Sequence, residues 1–187
     1  MNQLSLNTFD SFRYRNYLLL WVASLCFVAG FRLQLIVLGW FTYDQTGSPL
    51  LTALVVSLDL VPYMLLGPVA GLLGDAWDRR KLVASSFGGM TLLVVGMALL
   101  VTLDLLQIWH LFAFSFLSGV FYIAAESAMM ALIPNVVPRQ SLVNAFALNS
   151  LGVNSAKFVA PAGKGRVILA SLGIAALATV GFSLSPW

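Results

Sequence analysis

The fold of this chain is decided by residues 82–103, which read LVASSFGGMTLLVVGMALLVTL and contain no charged residue. The hydrocarbon core of a bilayer is about 30 Å thick, and a helix of roughly 20 apolar residues crosses it. Backbone polar groups cannot stay unpaired in lipid, so such a run must be a helix or a barrel strand. A barrel strand alternates polar and apolar residues over about 10 positions, whereas this run is continuous. The stretch therefore predicts a transmembrane helix.

The whole chain has the same apolar character. Of its 187 residues, 60% are hydrophobic and 9% are charged, whereas soluble domains carry about 25% charged residues. This composition excludes an ordinary soluble domain and a disordered chain. The single cysteine, Cys26, excludes a disulfide framework, and the single histidine, His110, leaves no pair for a metal site or a catalytic triad. We therefore expect neither a cofactor nor an enzyme.

Apolar runs of similar length predict six spans and an all-α, multi-spanning membrane helix bundle. The expected spans are Tyr17–Gly39, Leu50–Gly74, Leu82–Leu103, Gln107–Ile133, Leu142–Pro161 and Val167–Ser185. They divide the chain into a tail over residues 1–16, a bundle of five spans over residues 17–162, and a final span over residues 163–187. The fifth span is the least apolar, because three asparagines and Lys157 interrupt it.

The basic residues predict the orientation of the chain. Arg13 and Arg15 precede the first span, residues 79–81 read RRK between the second and third spans, and Arg139 lies between the fourth and fifth. The alternate loops, 42–49 and the turn near Asp104, hold no lysine or arginine. Basic residues favour the cytoplasmic side, so the N-terminus is expected in the cytoplasm. Because these residues sit at the ends of apolar runs, we expect a bilayer and no nucleic acid as partner.

The loop after the second span, residues 71–81, reads GLLGDAWDRRK. It resembles the signature G-x-L-[AG]-D-[RK]-x-[GD]-R-[RK]-[RK] of the major facilitator superfamily and occupies the position of that signature. Ala76 departs from it at a usually basic position. The resemblance implies a gating motif with these residues: Gly71, Gly74, Asp75, Asp78, Arg79 and Arg80. The alternative is that Arg79, Arg80 and Lys81 only anchor the topology.

Three further stretches resemble one exporter branch of that superfamily, the transmembrane secretion effectors, which include the enterobactin exporter and macrolide-efflux relatives. They are residues 40–49 (WFTYDQTGSP), 131–138 (ALIPNVVP) and 143–150 (VNAFALNS). With the gating motif, the resemblance covers residues 9–162. The antiporter motif of the fifth span is matched only in part, by Ala160 and Pro161 after Gly152.

The resemblance implies the N-terminal portion of an alternating-access transporter in a bacterial inner membrane. If a C-terminal half completes it, the implied activity is proton-coupled efflux, as an antiporter, of a small amphipathic molecule. The alternative function is a non-transporting, truncated membrane polypeptide, or an assembly or binding partner.

Polar side chains inside the apolar runs are the candidates for substrate and proton sites. A charge at the bilayer centre costs roughly 2.5–3.5 kcal/mol on insertion scales, so it usually has a partner or a task. Arg32 and Asp59 lie about 10 and 14 Å from the outer ends of their spans, so the two could pair across the central cavity or fix helix packing only. Glu126 and Asn149 lie at similar depth nearer the inner side. Glu126 could carry a proton or hydrogen-bond Asn149.

The segment after Pro161 breaks the pattern of the rest. Residues 163–166 read GKGR and would form a basic turn on the outer side, and residues 166–182 repeat the glycine and serine pattern of residues 81–97. One interpretation is an internal deletion that displaces a helix of the C-terminal half to this position. The other is a natural six-helix half with an unusual sixth span. The deletion predicts that spans five and six are poorly fixed against spans one to four.

Overall fold

The computed structural model describes residues 14–67 and 79–162, and for residue 80 and residues 156–162 it describes the backbone only. Within these ranges every regular element is helical, which confirms the all-α prediction. The helices are α1 (Arg15–Thr46), α2 (Pro49–Ser57), α3 (60–67), α4 (Arg79–Thr102), α5 (Ile108–Val136) and α6 (Leu142–Ala162), with a 3-10 turn at Arg139–Ser141 before α6. Most of the predicted tail, most of the loop at 71–81 and the predicted final span lie outside the described residues.

Four helical segments of the described chain are long and apolar enough to cross a membrane: Arg15–Thr46, Pro49–Gly67, Lys81–Thr102 and Ile108–Val136. The first helix is 32 residues long and continues past the predicted end at Gly39 to Thr46. At 1.5 Å per residue it measures roughly 48 Å, so it is longer than the hydrocarbon core is thick and must tilt or extend beyond it. Helix α6 has 21 residues but is not among the four, because its asparagines lower its hydropathy.

Helix α1 forms the centre of the bundle and packs against α2, α5 and α6, while α4 packs along α5. The part of the core that packs on the N-terminal half of α1 is built on stacked aromatic rings. Phe27 stacks on Phe87 with ring centroids 4.6 Å apart, and Phe31 stacks on Tyr122 at 4.1 Å. The part that packs on the C-terminal half of α1 is a smaller apolar cluster of Leu38, Val55, Leu111 and Phe114.

Helix α6 is fixed to α1 by hydrogen bonds along its buried face. The Tyr17 hydroxyl donates to the Ala145 carbonyl at 2.8 Å, and the Trp21 indole N–H donates to the Leu148 carbonyl at 3.1 Å. A Cβ atom at Gly152 would lie 2.9 Å from the Trp21 ring, so the two helices are in close contact. The expectation that span five is poorly fixed is therefore wrong, because polar side chains of α1 satisfy its polar face. The same expectation for residues 163–187 lies outside the described residues.

The second span is interrupted in its middle. Helix α2 ends at Ser57, Leu58 and Asp59 form a turn, and the chain is helical again over residues 60–67. Pro62 has no N–H to donate to the Leu58 carbonyl four residues before it, and its ring crowds that carbonyl. The Leu58 carbonyl instead accepts the Val61 N–H at 3.2 Å. The second span thus consists of two helical segments joined by a turn at Leu58 and Asp59.

Helix α5 touches this interruption with its backbone. A Cβ atom added at Gly119 would lie 2.6 Å from the Asp59 carbonyl oxygen and 3.0 Å from the Asp59 Cα atom. Small residues allow such close approach between membrane helices. Gly119 therefore fixes the position of the turn at Asp59 against α5.

We predict that Gly119→Ala destabilises the protein by about 1–3 kcal/mol, since the added methyl group displaces backbone rather than a flexible side chain. The matched control is Gly96→Ala in α4, where nothing lies within 4 Å of the added Cβ atom. The control should be neutral or stabilising, because alanine favours a helix over glycine. Thermal unfolding in detergent, followed by tryptophan fluorescence, measures both. Equal stability of the two variants would contradict the contact.

Candidate functional site

The turn in the second span presents a carboxylate inside the bundle. Asp59 is half-buried, and its carboxylate accepts the backbone N–H groups of Asp59 and Leu60. An aspartate in this position caps the first turn of α3, whose free N–H groups carry partial positive charge. The interruption of the helix thus creates the place where an acidic side chain is stabilised.

Arg32 of α1 supplies the positive charge that acts on Asp59. The charges of these two predicted residues therefore act on one another between α1 and the turn in the second span. The guanidinium also acts on the hydroxyl group of Tyr122 in α5. Its Nε atom is buried and has no hydrogen-bond partner in the described chain. Arg32 therefore keeps one donor for a further acceptor.

Glu126 lies on α5, one helical turn after Tyr122, and is half-buried. Its carboxylate interacts with the hydroxyl groups of Tyr122 and of Tyr63, which comes from α3. Tyr122 is fixed by its stack on Phe31, whereas Tyr63 is exposed. The three helix segments on which the predicted charges lie thus converge: α1 with Arg32, the turn and α3 with Asp59 and Tyr63, and α5 with Glu126.

Asn149 is placed apart from this cluster. Its side-chain oxygen accepts the Ser24 hydroxyl at 3.2 Å, and its Nδ2 atom lies 3.6 Å from the Met130 sulfur. The residue joins α6 to α1 and α5. The structure does not show the alternative in which Glu126 hydrogen-bonds Asn149. The Glu126 carboxylate interacts instead with the hydroxyl groups of Tyr63 and Tyr122.

Most of the predicted gating motif lies outside the described residues, namely Gly71, Gly74, Asp75, Asp78 and the side chain of Arg80. Arg79 begins α4, and its Nη1 atom donates to the Ala131 carbonyl of α5 at 2.8 Å. The end of α5 contains Pro134, which removes one N–H from the helix ladder. A cation at a helix C-terminus is also favoured by the helix dipole. Arg79 therefore ties the start of α4 to the end of α5.

Two residues of the site were missed from the sequence, Tyr63 and Tyr122. A signal was available for each. Tyr122 precedes Glu126 by four residues, and Tyr63 follows Asp59 by four, so each tyrosine shares a helix face with a carboxylate. His110 has a local structural role, because its Nδ1 atom accepts the Gln107 N–H at 3.0 Å at the start of α5. Among the described residues no group of three or more His, Cys, Asp or Glu could hold a metal ion.

A bundle of long apolar helices, four of them long enough to cross a membrane, defines a multi-pass membrane protein. The family model described as transmembrane secretion effector matches residues 6–184. The chain belongs to this transporter family.

The chain is similar to proteins named as uncharacterized MFS-type transporters. It is 30% identical over 115 residues to one from Mycobacterium bovis and to one from Mycobacterium tuberculosis, which covers 62% of this chain and 25% of each relative. It is 27% identical over 136 residues to YfiS of Bacillus subtilis, which covers 73% of this chain and 31% of that relative. The chain thus matches about a quarter to a third of the length of these relatives. No solved structure matches it.

We predict energetic coupling between Arg32 and Asp59. Neutralising one of them leaves the other charge inside the span without its partner, so Arg32→Gln and Asp59→Asn should each reduce membrane expression and thermal stability. The double variant should recover part of both, with a coupling energy of about 0.5–3 kcal/mol in a double-mutant cycle. The control cycle combines Asp59→Asn with Arg139→Gln, an exposed arginine in the turn before α6. Additive effects in both cycles would count against the pair.

Proposed function

We propose that the chain forms the N-terminal part of an alternating-access transporter that exports a small amphipathic molecule in exchange for protons. The observation that carries this proposal is the convergence of Arg32, Asp59 and Glu126 from separate helix segments inside the bundle. Ionisable residues within membrane spans are costly and typically mark substrate or proton pathways. The proposed location is a bacterial inner membrane, with the N-terminus in the cytoplasm and the basic loops on that side.

Arg32 and Asp59 have complementary roles in this proposal. The free Nε donor of Arg32 can bind an acceptor oxygen of the substrate. A proton on Asp59 removes the negative charge that attracts the guanidinium, which leaves Arg32 available to the substrate. Loss of the proton restores that attraction. Proton binding and substrate binding are then coupled through one guanidinium, and such coupling acts equally in both directions.

The turn at Asp59 is the proposed moving part. Discontinuous transmembrane helices surround the binding sites of many transporters, and alternating access moves one helical group against another. The Tyr63 hydroxyl connects α3 to the Glu126 carboxylate, so the charge on Glu126 influences where α3 lies relative to α5. Proton transfer at Glu126 would therefore shift the balance between two positions of α3.

The proposed cytoplasmic gate consists of Gly71, Gly74, Asp75, Asp78, Arg79 and Arg80. The hydrogen bond from Arg79 to the Ala131 carbonyl supports this proposal, because it joins two helices at the end of the bundle where the basic residues lie. The proposed partners are the lipid bilayer, a C-terminal half, protons and the amphipathic substrate. Asn149 is a packing residue in this proposal, although sequence reasoning placed it with the substrate candidates.

We predict pH-driven transport in proteoliposomes that hold the chain together with the C-terminal half of a full-length relative. The vesicles are loaded with rhodamine 6G, a fluorescent amphipathic cation, and a pH gradient is imposed. The gradient should drive dye movement, and Asp59→Asn or Glu126→Gln should reduce its rate about tenfold or more. The control is Asp104→Asn, because Asp104 lies in an exposed turn with a φ of 53° that asparagine also adopts.

Two results would contradict the proposal. Dye movement of equal rate in wild type and in both carboxylate variants would exclude these groups from coupling. No gradient-dependent movement by the wild-type chain together with that C-terminal half would favour the alternative class, a binding or assembly partner in the membrane.

A further inference from the structure

A cavity of about 420 Å³ lies between the outer halves of α1 and α4, with Phe114 of α5 among its lining residues. Its walls include Gly30, Gln34 and Val37 of α1, and Met97, Ala98 and Val101 of α4. Phe114 is buried, whereas Val37 and Val101 are exposed. The cavity is therefore closed toward the bundle and open toward the surrounding bilayer. Its volume lies within the range of pockets that hold small molecules, about 300–1,000 Å³.

Two side chains with polar groups line this cavity, Gln34 and Thr102. The Thr102 hydroxyl donates to the Leu99 carbonyl at 3.0 Å and is satisfied. The Nε2 atom of Gln34 is buried and has no hydrogen-bond partner in the described chain. A buried donor without a partner typically costs about 1–3 kcal/mol, and lipid offers no water to replace that partner. The cavity thus combines an apolar surface with one unused donor.

This cavity is separate from the ionisable cluster. Gln34 follows Arg32 by two residues, and helical residues two apart point to nearly opposite sides, at about 100° per residue. Arg32 faces the Asp59 side of α1, whereas Gln34 faces α4. A molecule bound at Gln34 therefore does not occupy the Arg32 site.

The depth of Gln34 indicates which molecules can supply an acceptor. Trp40, an exposed aromatic residue near the outer end of α1, marks the membrane–water boundary on this helix. Gln34 lies six residues deeper, roughly 9 Å below it. The ester oxygens of phospholipids lie near the boundary, and the acyl chains below them carry no acceptor. A phospholipid would fill the cavity without satisfying the amide.

We infer that this cavity binds an uncharged apolar molecule that enters from the bilayer and carries a single carbonyl-type oxygen. The oxygen accepts from Gln34 Nε2, and the apolar body of the molecule packs against Val37, Met97 and Phe114. The site recognises the ligand by one hydrogen bond in an apolar environment, the pattern typical of small-molecule pockets. It is independent of proton coupling at Asp59 and Glu126.

The test uses benzophenone, which has two apolar rings and one carbonyl oxygen, on the protein in lipid nanodiscs. A benzophenone carrying an alkyne labels the protein under light, and mass spectrometry locates the label. We expect labelling of the cavity walls, including Met97. Unlabelled benzophenone should compete about three- to tenfold better than diphenylmethane, which has the same rings without the oxygen, as one hydrogen bond predicts.

Variants separate the hydrogen bond from the cavity. Gln34→Leu should abolish the preference for benzophenone over diphenylmethane without lowering thermal stability in the absence of ligand, because it removes an unsatisfied buried donor. Ala98→Phe fills the cavity and should abolish labelling of its walls. The matched control is Ala84→Phe, an exposed alanine of the same helix outside the cavity, which should leave labelling unchanged.

Three outcomes would overturn the inference. The first is equal competition by the two compounds in the wild-type protein, which indicates partition into lipid or simple filling of space. The second is labelling that Ala98→Phe does not change. The third is absence of label from the cavity walls, as expected if another segment or another protein covers them.

Discussion

Inside a bilayer each polar group of the protein must find its partner within the protein, and the turn at Asp59 is where this constraint acts most strongly. Pro62 removes one helix hydrogen bond, and the helix is interrupted by a turn at Leu58 and Asp59. The N–H groups of Asp59 and Leu60 at this turn are taken up by the Asp59 carboxylate. The carboxylate in turn lies within the field of Arg32. Gly119 allows the backbone of α5 to reach the turn. The position of the charged cluster therefore follows from how one interrupted helix satisfies its own backbone.

The constraint also accounts for the two sides of α1. On one side Arg32 faces Asp59, and the two opposite charges stabilise each other. On the other side Gln34 faces an apolar cavity, and its Nε2 donor has no partner in the described chain. In the N-terminal half of α1, three side chains donate hydrogen bonds to α6, the least apolar of the predicted spans: Tyr17, Trp21 and Ser24. Helix α1 thus organises the bundle through polar contacts as well as through apolar packing.

The all-α fold and most span boundaries could be predicted from the sequence, because hydropathy is a local property and a bilayer imposes a fixed length. The approach of Arg32 to Asp59 could be anticipated from their matched depth. Tyr122 could also have been anticipated, because it lies four residues before Glu126 on the same helix. The contact of Tyr63 with Glu126 could not, because the two residues lie on different helices that only the fold brings together. The packing of α6 was also misjudged, since Asn149 looks unfavourable in a span until its partner Ser24 on α1 is known. Gly119 gave no local signal, because a glycine's role in close packing depends on the partner helix.

The account depends most directly on the approach of α3 to α5, and cross-linking between positions 63 and 126 measures it. In a Cys26→Ser background, Tyr63→Cys combined with Glu126→Cys should be joined rapidly in the membrane by a short bifunctional methanethiosulfonate. Leu65→Cys combined with Glu126→Cys is the matched control, because residue 65 points to nearly the opposite side of α3. The account predicts efficient cross-linking of the first pair and little of the second. Equal cross-linking of both pairs, or a preference for the second, would contradict the arrangement of the turn and of the site built on it.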